Sequence, residues 1–314
     1  MLYSGKNLRK LIIPLIIEQI LAIAVGMADT IMVSAAGEAA VSGVSLVDTV
    51  NILLINVFSA LATGGAVVSG HFLGKKKRED ACKSAWQILL FATLLALVIS
   101  VIFITAHDPL LRLMFGKIED DVMKASKTYL IITTYSFVAL AIYNSCAALF
   151  RAMNESKVTM WVSLLMNVIN VVGNAICIYG LHMGVAGVAI PTTISRYVAA
   201  VVIFLLMFQT KKEINLCGQI TWKFNGSLIK KILYIAIPNG LENSMFQLGK
   251  ILVMSAVATM GTSAIAANAV TGTIANWNNL PGFAINLAIV SVVSVCVGAG
   301  RYDQARYYTR RLCR

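Results

Sequence analysis

The chain has 314 residues, of which 58% are hydrophobic and only 13% are charged, and its mean hydropathy is +0.79. Soluble domains are nearer half apolar and a quarter charged, so this composition excludes a disordered chain and disfavours a soluble globular fold. The formal net charge of +12 indicates basic loops that face the cytoplasm and anionic lipid, rather than a nucleic-acid partner.

Eight apolar stretches follow one another along the chain, each long enough to cross a bilayer as a tilted helix. A spanning segment must satisfy its backbone hydrogen bonds internally, so an all-α polytopic membrane protein is predicted. The predicted spans are Leu11–Val33, Thr49–Leu73, Ala85–Ala106, Tyr129–Phe150, Val158–Gly180, Val185–Phe208, Ile232–Ala258 and Val270–Val297.

The distribution of basic residues predicts the orientation of these spans. With a cytoplasmic N-terminus, the cytoplasmic segments hold twenty lysines and arginines, whereas the outer loops hold four, all within residues 107–128. Cytoplasmic loops of membrane proteins carry such an excess. We therefore expect a multi-pass monomer in the plasma membrane, surrounded by lipid, with its N-terminus inside the cell.

An internal repeat relates the first and seventh spans at an offset of 224 residues. The sequence IPLIIE at 13–18 resembles IPNGLE at 237–242, and the same offset aligns Gly74 with Gly298. Six spans separate the two copies, so both copies cross the membrane in the same direction. Such parallel repeats are found in transporters whose two halves are related by an axis along the membrane normal.

The repeat predicts how the chain is divided. Residues 1–227 are expected to form a six-helix lobe, and residues 228–314 the first two helices of a second, incomplete lobe. Two complete copies of the repeat need more residues than the chain has, so we expect a truncated form of a twelve-helix protein. The alternative is a genuine eight-helix protein.

Four stretches of the sequence resemble the multidrug and toxic compound extrusion (MATE) family. They are IPLIIEQILAIAVGMADTIMVS, GGAVVSGHFLGKKKREDA, GVAGVAIPTTISR and AANAVTGTIANWNNLPGFAINLAIVSVVSVCVGAG, and Asp29–Met32 and Gly298–Gly300 are the most family-like pieces. The resemblance covers nearly the whole chain and implies twelve helices in two six-helix lobes. It also implies exchange of cytoplasmic cationic or amphipathic compounds for external protons or sodium ions, with no cofactor and no metal centre.

The sequence departs from the family pattern in both halves. His71 stands where the family often has glutamine. In the seventh span, Phe246 and Gln247 occupy the positions of the usual family glutamate, and a carboxylate appears earlier, at Glu242. We keep Gln247 as a candidate for the substrate cleft, and we do not expect the second-lobe carboxylate site of some relatives at these two positions.

Ionisable residues inside spans are costly to desolvate and are therefore candidates for function. Asp29 lies in the outer half of the first span, among small and apolar neighbours and within the family-like segment. A carboxylate there can alternate between a protonated and a cation-bound form, so we predict that Asp29 is the cation-coupling residue. The alternative is that Asp29 only anchors the end of the span at the membrane interface.

Four further charges lie inside the predicted spans. Glu18 and Glu242 are related by the repeat, and each follows an equivalent proline by four residues. Either they face the cleft and attract a cationic substrate, or they accept hydrogen bonds as structural buttresses. Arg196 is too deep for easy snorkelling, and Lys250 follows Glu242 by eight residues; we expect both to form charge pairs with Asp29 or the glutamates.

Three asparagines share one face of the fifth span, because they are spaced i, i+3, i+7. They are Asn167, Asn170 and Asn174, and they stand where many MATE relatives carry an aspartate in the same span. Hydrogen bonding between helices is the favoured hypothesis. Ion coordination or contact with substrate in the cleft is the alternative.

The favoured function is a secondary antiporter that exports drugs or toxic organic cations. A lipid-linked oligosaccharide flippase has a similar two-lobe layout, but it is expected to line its cavity with several basic residues. Here the spans hold three acids and two bases, which favours a cationic substrate. An enzyme is disfavoured because the sequence lacks HExxH, G-x-S-x-G, phosphate-loop and dinucleotide motifs. An inactive fragment of the transporter is the remaining alternative.

Overall fold

The computed structural model describes residues 3–115, 119–210, 212–218, 222–258 and 262–313, and its regular structure in these ranges is helical. The all-α prediction is therefore confirmed. The helices are α1 (Gly5–Ser34), α2 (Glu38–Gly74), α3 (Arg78–Thr105), α4 (His107–Phe115), α5 (Asp120–Thr134), α6 (Phe137–Ala152), α7 (Ser156–Ala175), α8 (Ala186–Leu206), α9 (Gly226–Ala258), α10 (Thr262–Gly298) and α11 (Tyr302–Leu312). A π-helical turn at Ile176–Gly180 extends α7.

Among the described residues, six helices are long and apolar enough to cross a membrane: α1, α2, α3, α7 with its π-helical turn, α8, and the Trp277–Gly298 part of α10. The predicted fourth span is a pair of helices, α5 and α6, which bend by 50° and together make a seventh candidate. α9 corresponds to the predicted seventh span, but its described residues are not among these candidates. It has 33 residues and carries polar side chains along its middle, including Asn239, Glu242 and Asn243.

Several helices begin before the apolar stretch that predicted them. α2 begins at Glu38 rather than Thr49, and α3 begins at Arg78 rather than Ala85. Helical hydrogen bonding does not stop where the apolar residues stop, since a helix satisfies its own backbone in the headgroup region too. The correction matters for Asp48, which directly precedes the predicted second span but lies about three turns inside α2.

The central helix of the fold is α2, which packs against α3, α5, α6, α9 and α10. Glycines let two of these neighbours approach closely. A Cβ atom on Gly43 would meet the backbone of α5 at Ser126, and a Cβ atom on Gly64 would meet the backbone of α9 at Ile232. Small residues at helix contacts are typical of packing in lipid, where close backbone approach replaces the hydrophobic effect.

The turns that follow α2 and α10 have the same geometry at the repeat offset of 224 residues. Lys76 and Gly300 both take the left-handed conformation, with φ of 57° and 71°. Three backbone hydrogen bonds join residues 75, 76 and 77 to 71, 73 and 72 in the first turn, and residues 299, 300 and 301 to 295, 297 and 296 in the second. The offset seen in the sequence therefore also relates local backbone structure.

The repeat-related glycines meet where α2 crosses α10. A Cβ atom on Gly74 would collide with the backbone of Val295 and Ala299, and a Cβ atom on Gly298 would collide with the backbone of His71. A larger residue at either position would push the two helices apart. The two copies of the repeat are thus in direct contact around equivalent positions, while the division into lobes at residue 227 stays a prediction.

Candidate functional site

Asp29 lies about one turn before the C-terminal end of α1 and is half-buried. Its Oδ1 accepts a hydrogen bond of 2.7 Å from Asn174 Nδ2 on α7. α1 packs along α7, which brings the two side chains together. The carboxylate is therefore held by a neutral amide, and within the described residues no cation lies within ion-pair distance of it.

The asparagines of α7 continue this contact into α8. Asn174 Nδ2 also lies 3.3 Å from Asn170 Oδ1, and Asn170 Nδ2 donates to Thr192 Oγ1 at 2.9 Å. Thr192 in turn donates to the Val188 carbonyl at 2.8 Å. Asn170 and Asn174 thus form interhelical hydrogen bonds, as the favoured hypothesis had it. A chain of polar contacts joins α1, α7 and α8, so a change of charge at Asp29 acts on three helices.

Two of the α7 amides keep an unused polar atom. Asn174 is fully buried, and its Oδ1 has no hydrogen-bond donor among the described residues. Asn167 is buried as well, and its Nδ2 has no acceptor in the same part of the chain. Buried polar atoms are nearly always paired, so an unpaired one indicates a place where a water molecule or an ion can bind.

A small cavity of about 90 Å³ adjoins Asp29 between α1, α2, α5 and α8. Because a single water needs about 10–15 Å³ on this measure, the cavity has room for a small hydrated cation. Its lining residues are Gly26, Asp29, Thr30, Val33, Val41, Val44, Ser45, Asp48, Tyr129 and Val188. The carboxylate of Asp29 is thus both inside a spanning helix and open to a polar space.

The cavity also contains a carboxylate that the sequence did not single out. Asp48 Oδ1 accepts from Tyr129 OH at 3.1 Å and from Asn51 Nδ2 at 3.3 Å. The apolar pattern begins only at Thr49 and therefore puts Asp48 outside the predicted span, where a carboxylate is not a candidate for function. Residues 41, 44, 45 and 48 all line the cavity, and their spacing is that of one face of a helix. This spacing indicates that Asp48 belongs to α2.

Glu18 on α1 is buried against α6 and α7 and does not face an open cleft. Its Oε1 lies 3.5 Å from Arg151 Nη1 on α6, and its Oε2 accepts from Thr159 Oγ1 on α7 at 2.9 Å. The side chains of Glu18 and Arg151 are 11% and 12% exposed. Both carboxylate oxygens are therefore occupied by protein groups, which supports the structural alternative for Glu18.

The repeat partner of Glu18 has a different environment. Glu242 on α9 is exposed, and Gln247 one turn further is half-buried. Within the described residues no ion pair forms at Glu242, since the helices that surround Glu18 have no counterpart there. The expected charge pair with Lys250 falls on a side chain that lies outside the described residues.

Arg196 does not form the expected direct ion pair. Its Nη1 donates to Ser136 Oγ at 2.8 Å, at the bend between α5 and α6. Two neighbours on α8 reach the same bend, since Thr193 Oγ1 donates to the Ile132 carbonyl and Tyr197 OH donates to the Tyr135 carbonyl. A break in a spanning helix frees carbonyl groups that lipid cannot satisfy, and α8 supplies the donors.

Two carboxylates between the end of α3 and the first turn of α5, Asp108 and Asp121, are paired with nearby lysines and are accessible to solvent. Lys127 lies 2.6 Å from Asp108 and holds the pKa of that carboxyl below its ordinary value. Asp121 at the start of α5 is 82% exposed and lies 3.7 Å from Lys124. The described residues contain no group of three histidine, cysteine or acidic side chains placed to hold a metal ion.

The fold is similar to solved structures of membrane transporters. One, described as an outward-facing conformation of a multidrug resistance MATE family transporter of the MOP superfamily, matches with a TM-score of 0.90 at 21% identity. That match covers 98% of this chain and 68% of the other. A second, described as MATE in the bent conformation, has a TM-score of 0.87 at 20% identity and covers 99% and 71% of the two chains. The chain therefore has the same helical fold as these two structures over nearly all of its length.

The MatE family model matches residues 14–176 and 238–313, which together make up more than half of the chain. The chain therefore belongs to the MatE family. The family is one of transporters and not of enzymes, as expected from the sequence.

Two curated relatives illustrate the similarity. The uncharacterized transporter YisQ of Bacillus subtilis (strain 168) is 28% identical over 297 residues, which is 93% of this chain. The probable multidrug resistance protein NorM of Thermotoga maritima is 25% identical over 302 residues, 95% of this chain. The chain spans 64% of the length of each relative.

Proposed function

We propose that this protein is a secondary active transporter that exports drugs or toxic organic cations in exchange for protons or sodium ions, with Asp29 as the coupling residue. The observation that carries the proposal is the Asp29 carboxylate, which is held by an amide beside a cavity of about 90 Å³ in a chain of the MatE family. The name of the Thermotoga NorM relative, a probable multidrug resistance protein, supports the substrate class.

Coupling follows from the position of Asp29 between three helices. A proton or sodium ion that binds the carboxylate neutralises it and changes its contact with Asn174. Through Asn170 and Thr192 the change reaches α8. A ligand shifts a conformational equilibrium only by its difference in affinity for the two states, so a cation that prefers one arrangement of α1, α7 and α8 drives the transporter towards that state.

The surroundings of the protein follow from its charge distribution. We place it in the plasma membrane as a monomer, with residues 1–10 and the basic turns after α2, α6 and α10 on the cytoplasmic side. Residues 228–314 begin the second lobe in this arrangement. Cytoplasmic cationic or amphipathic compounds are the substrates that this orientation favours.

A flippase for lipid-linked oligosaccharides is the second candidate, and one feature favours it. An open cavity of about 670 Å³ between α2 and α9 is lined by His71, Lys75, Lys230 and Lys231. These residues lie at the cytoplasmic ends of their helices, where basic side chains meet lipid headgroups. The acidic cavity at Asp29 lies deeper in the helices, and we therefore prefer a cationic substrate.

Ethidium efflux from proteoliposomes tests the proposal. The purified protein is reconstituted, ethidium is enclosed, and an inward gradient of protons or of sodium ions is imposed. We expect gradient-driven efflux, and we expect Asp29→Asn to reduce it by about tenfold or more, since coupling between two sites is typically worth that much. Asp29→Asn keeps the volume and the acceptor for Asn174 but removes the charge.

The matched control is Asp121→Asn, because Asp121 is an exposed carboxylate on the outer side, far from the cavity lining. It should transport at the parent rate. Equal rates for Asp29→Asn and the parent under both gradients would overturn the role of Asp29. Transport of a lipid-linked oligosaccharide in the absence of ethidium efflux would support the flippase instead.

A further inference from the structure

The cavity beside Asp29 is bounded by carboxylates on two sides. Asp29 comes from α1 and Asp48 from α2, and Tyr129 of α5 lines the same space. Tyr129 OH donates to Asp48 Oδ1 at 3.1 Å, and Asn51 fixes the same oxygen from within α2. Asp48 is thus held in place by two donors to one oxygen, and its Oδ2 has no donor among the described residues.

The helix that contacts Asp29 from outside the cavity lining, α7, contributes no charge. α7 presents Asn170 and Asn174 towards Asp29, and the buried Asn174 Oδ1 has no donor among the described residues. An oxygen left unpaired on an amide whose nitrogen contacts Asp29 indicates a ligand that donates a hydrogen or carries positive charge. Because α7 is neutral here, the second negative charge of the site comes from α2.

The balance of charges around the cavity indicates what net charge a bound ligand carries. The titratable groups that line the cavity are Asp29 on α1, Asp48 on α2 and Tyr129 on α5, and α7 supplies only amides at Asp29. Arg196 on α8 lies outside the lining but acts electrostatically on both carboxylates, and it lies beyond ion-pair distance from either. Its Nη1 donates a hydrogen bond to Ser136 Oγ instead. Two negative charges and one positive charge leave an excess of one negative charge, which a single proton or monovalent cation neutralises.

We propose that Asp48 shares the coupling cation with Asp29, so that the two carboxylates bind one proton or one sodium ion between them. The proposal rests on the proposed function and deepens it, since it identifies a second residue of the coupling site. Like charges in one low-dielectric space repel, and a shared cation removes that repulsion.

Tyr129 is a positioning residue in this scheme. Its phenol donates to Asp48 and so orients the carboxylate towards the cavity. Tyr129→Phe should weaken coupling less than loss of either carboxylate, because the charge remains and only one of the two donors to Asp48 is lost.

The test compares Asp48→Asn, Asp48→Glu and Asp29→Asn in the ethidium assay, with Asp121→Asn as control. Asp48→Asn keeps the acceptor for Tyr129, so a merely structural role predicts parental efflux. We expect instead a loss of about tenfold or more. Asp48→Glu should retain part of the efflux with an altered pH profile, and thermal unfolding in detergent should show that both variants are folded.

Cation binding by the purified protein gives a second readout that does not depend on transport. Radioactive sodium binding and proton uptake on acidification are each counted per protein. We expect the parent to bind one cation, which is either a sodium ion in the first assay or a proton in the second. Asp29→Asn and Asp48→Asn should each lose that cation. Two cations in the parent, with one lost in each variant, would overturn sharing.

The outcomes separate this inference from the proposed function. Loss of efflux in Asp29→Asn with parental efflux in Asp48→Asn leaves Asp29 as the coupling residue and refutes the role of Asp48. Parental efflux in both variants refutes the coupling site as a whole. Loss in both variants together with loss of the same single cation supports both proposals.

Discussion

Two carboxylates on α1, Glu18 and Asp29, lie three turns apart and have opposite environments. Glu18 has a guanidinium from α6 on one oxygen and a hydroxyl from α7 on the other, with both partners of the ion pair nearly buried. Asp29 has an amide from α7 on one oxygen and an open cavity beside it. The same helix thus carries one carboxylate that is fully compensated and one that is not.

The difference contrasts a buried carboxylate that has a fixed partner with one that has room for a mobile cation. A buried charge whose partner is fixed by the fold is costly to disturb, since removing one partner leaves an uncompensated ion. A charge held by neutral donors beside a polar space accepts a mobile cation instead. On this basis Glu18 holds α1 to α6 and α7, whereas Asp29 is the residue that we propose to exchange a cation.

The largest effect on stability is expected when the fixed partner of Glu18 is removed. Arg151→Met leaves the glutamate buried and unpaired, so the free energy of unfolding should fall by about 3–5 kcal/mol. It is measured by denaturant titration in mixed micelles. The double variant Glu18→Gln with Arg151→Met removes both charges and should recover most of the loss. A single variant as stable as the parent would contradict the structural role of Glu18.

A smaller loss is expected from the second partner. Thr159→Val preserves the shape of the side chain but removes the donor to Glu18 Oε2. A buried acceptor left without a donor costs about 1–3 kcal/mol, and the same titration measures it. Thr193→Val is a suitable comparison at the α5–α6 bend, because it also deletes one donor to a buried oxygen. If Thr159→Val left stability unchanged, water would have to reach Glu18.

The smallest effect on stability is expected at Asp29. Asp29→Asn retains an oxygen for Asn174 and removes a negative charge that faces Asp48, so unfolding should change by about 1 kcal/mol or less. Thermal unfolding in detergent checks this beside the efflux assay. A loss as large as that of Arg151→Met would mean that Asp29 is structural, and the contrast between the two carboxylates would disappear.

The sequence predicted the helical membrane fold and the position of Asp29 because both depend on strong local signals. Long apolar stretches and an intramembrane carboxylate are visible without tertiary structure. The break between α5 and α6 was not visible, because no proline or glycine lies at Tyr135 or Ser136 and its carbonyls are satisfied from α8 and α3.

The remaining errors come from contacts that sequence spacing does not contain. Glu18 and Glu242 are equivalent in the repeat, yet Arg151 and Thr159 surround only the first. Asp48 was missed because its helix extends beyond the apolar stretch. Arg196 was expected to pair with a carboxylate, but the nearest acceptor is set by the bend at Ser136.

The central claim is that Asp29 exchanges a cation while Glu18 does not. It is tested most directly by gradient-driven ethidium efflux in proteoliposomes, with Asp29→Asn compared against the double variant Glu18→Gln with Arg151→Met. The account predicts that the double variant transports at close to the parent rate, whereas Asp29→Asn loses gradient-driven efflux although it is folded. Efflux retained by Asp29→Asn and lost in the folded double variant would contradict it.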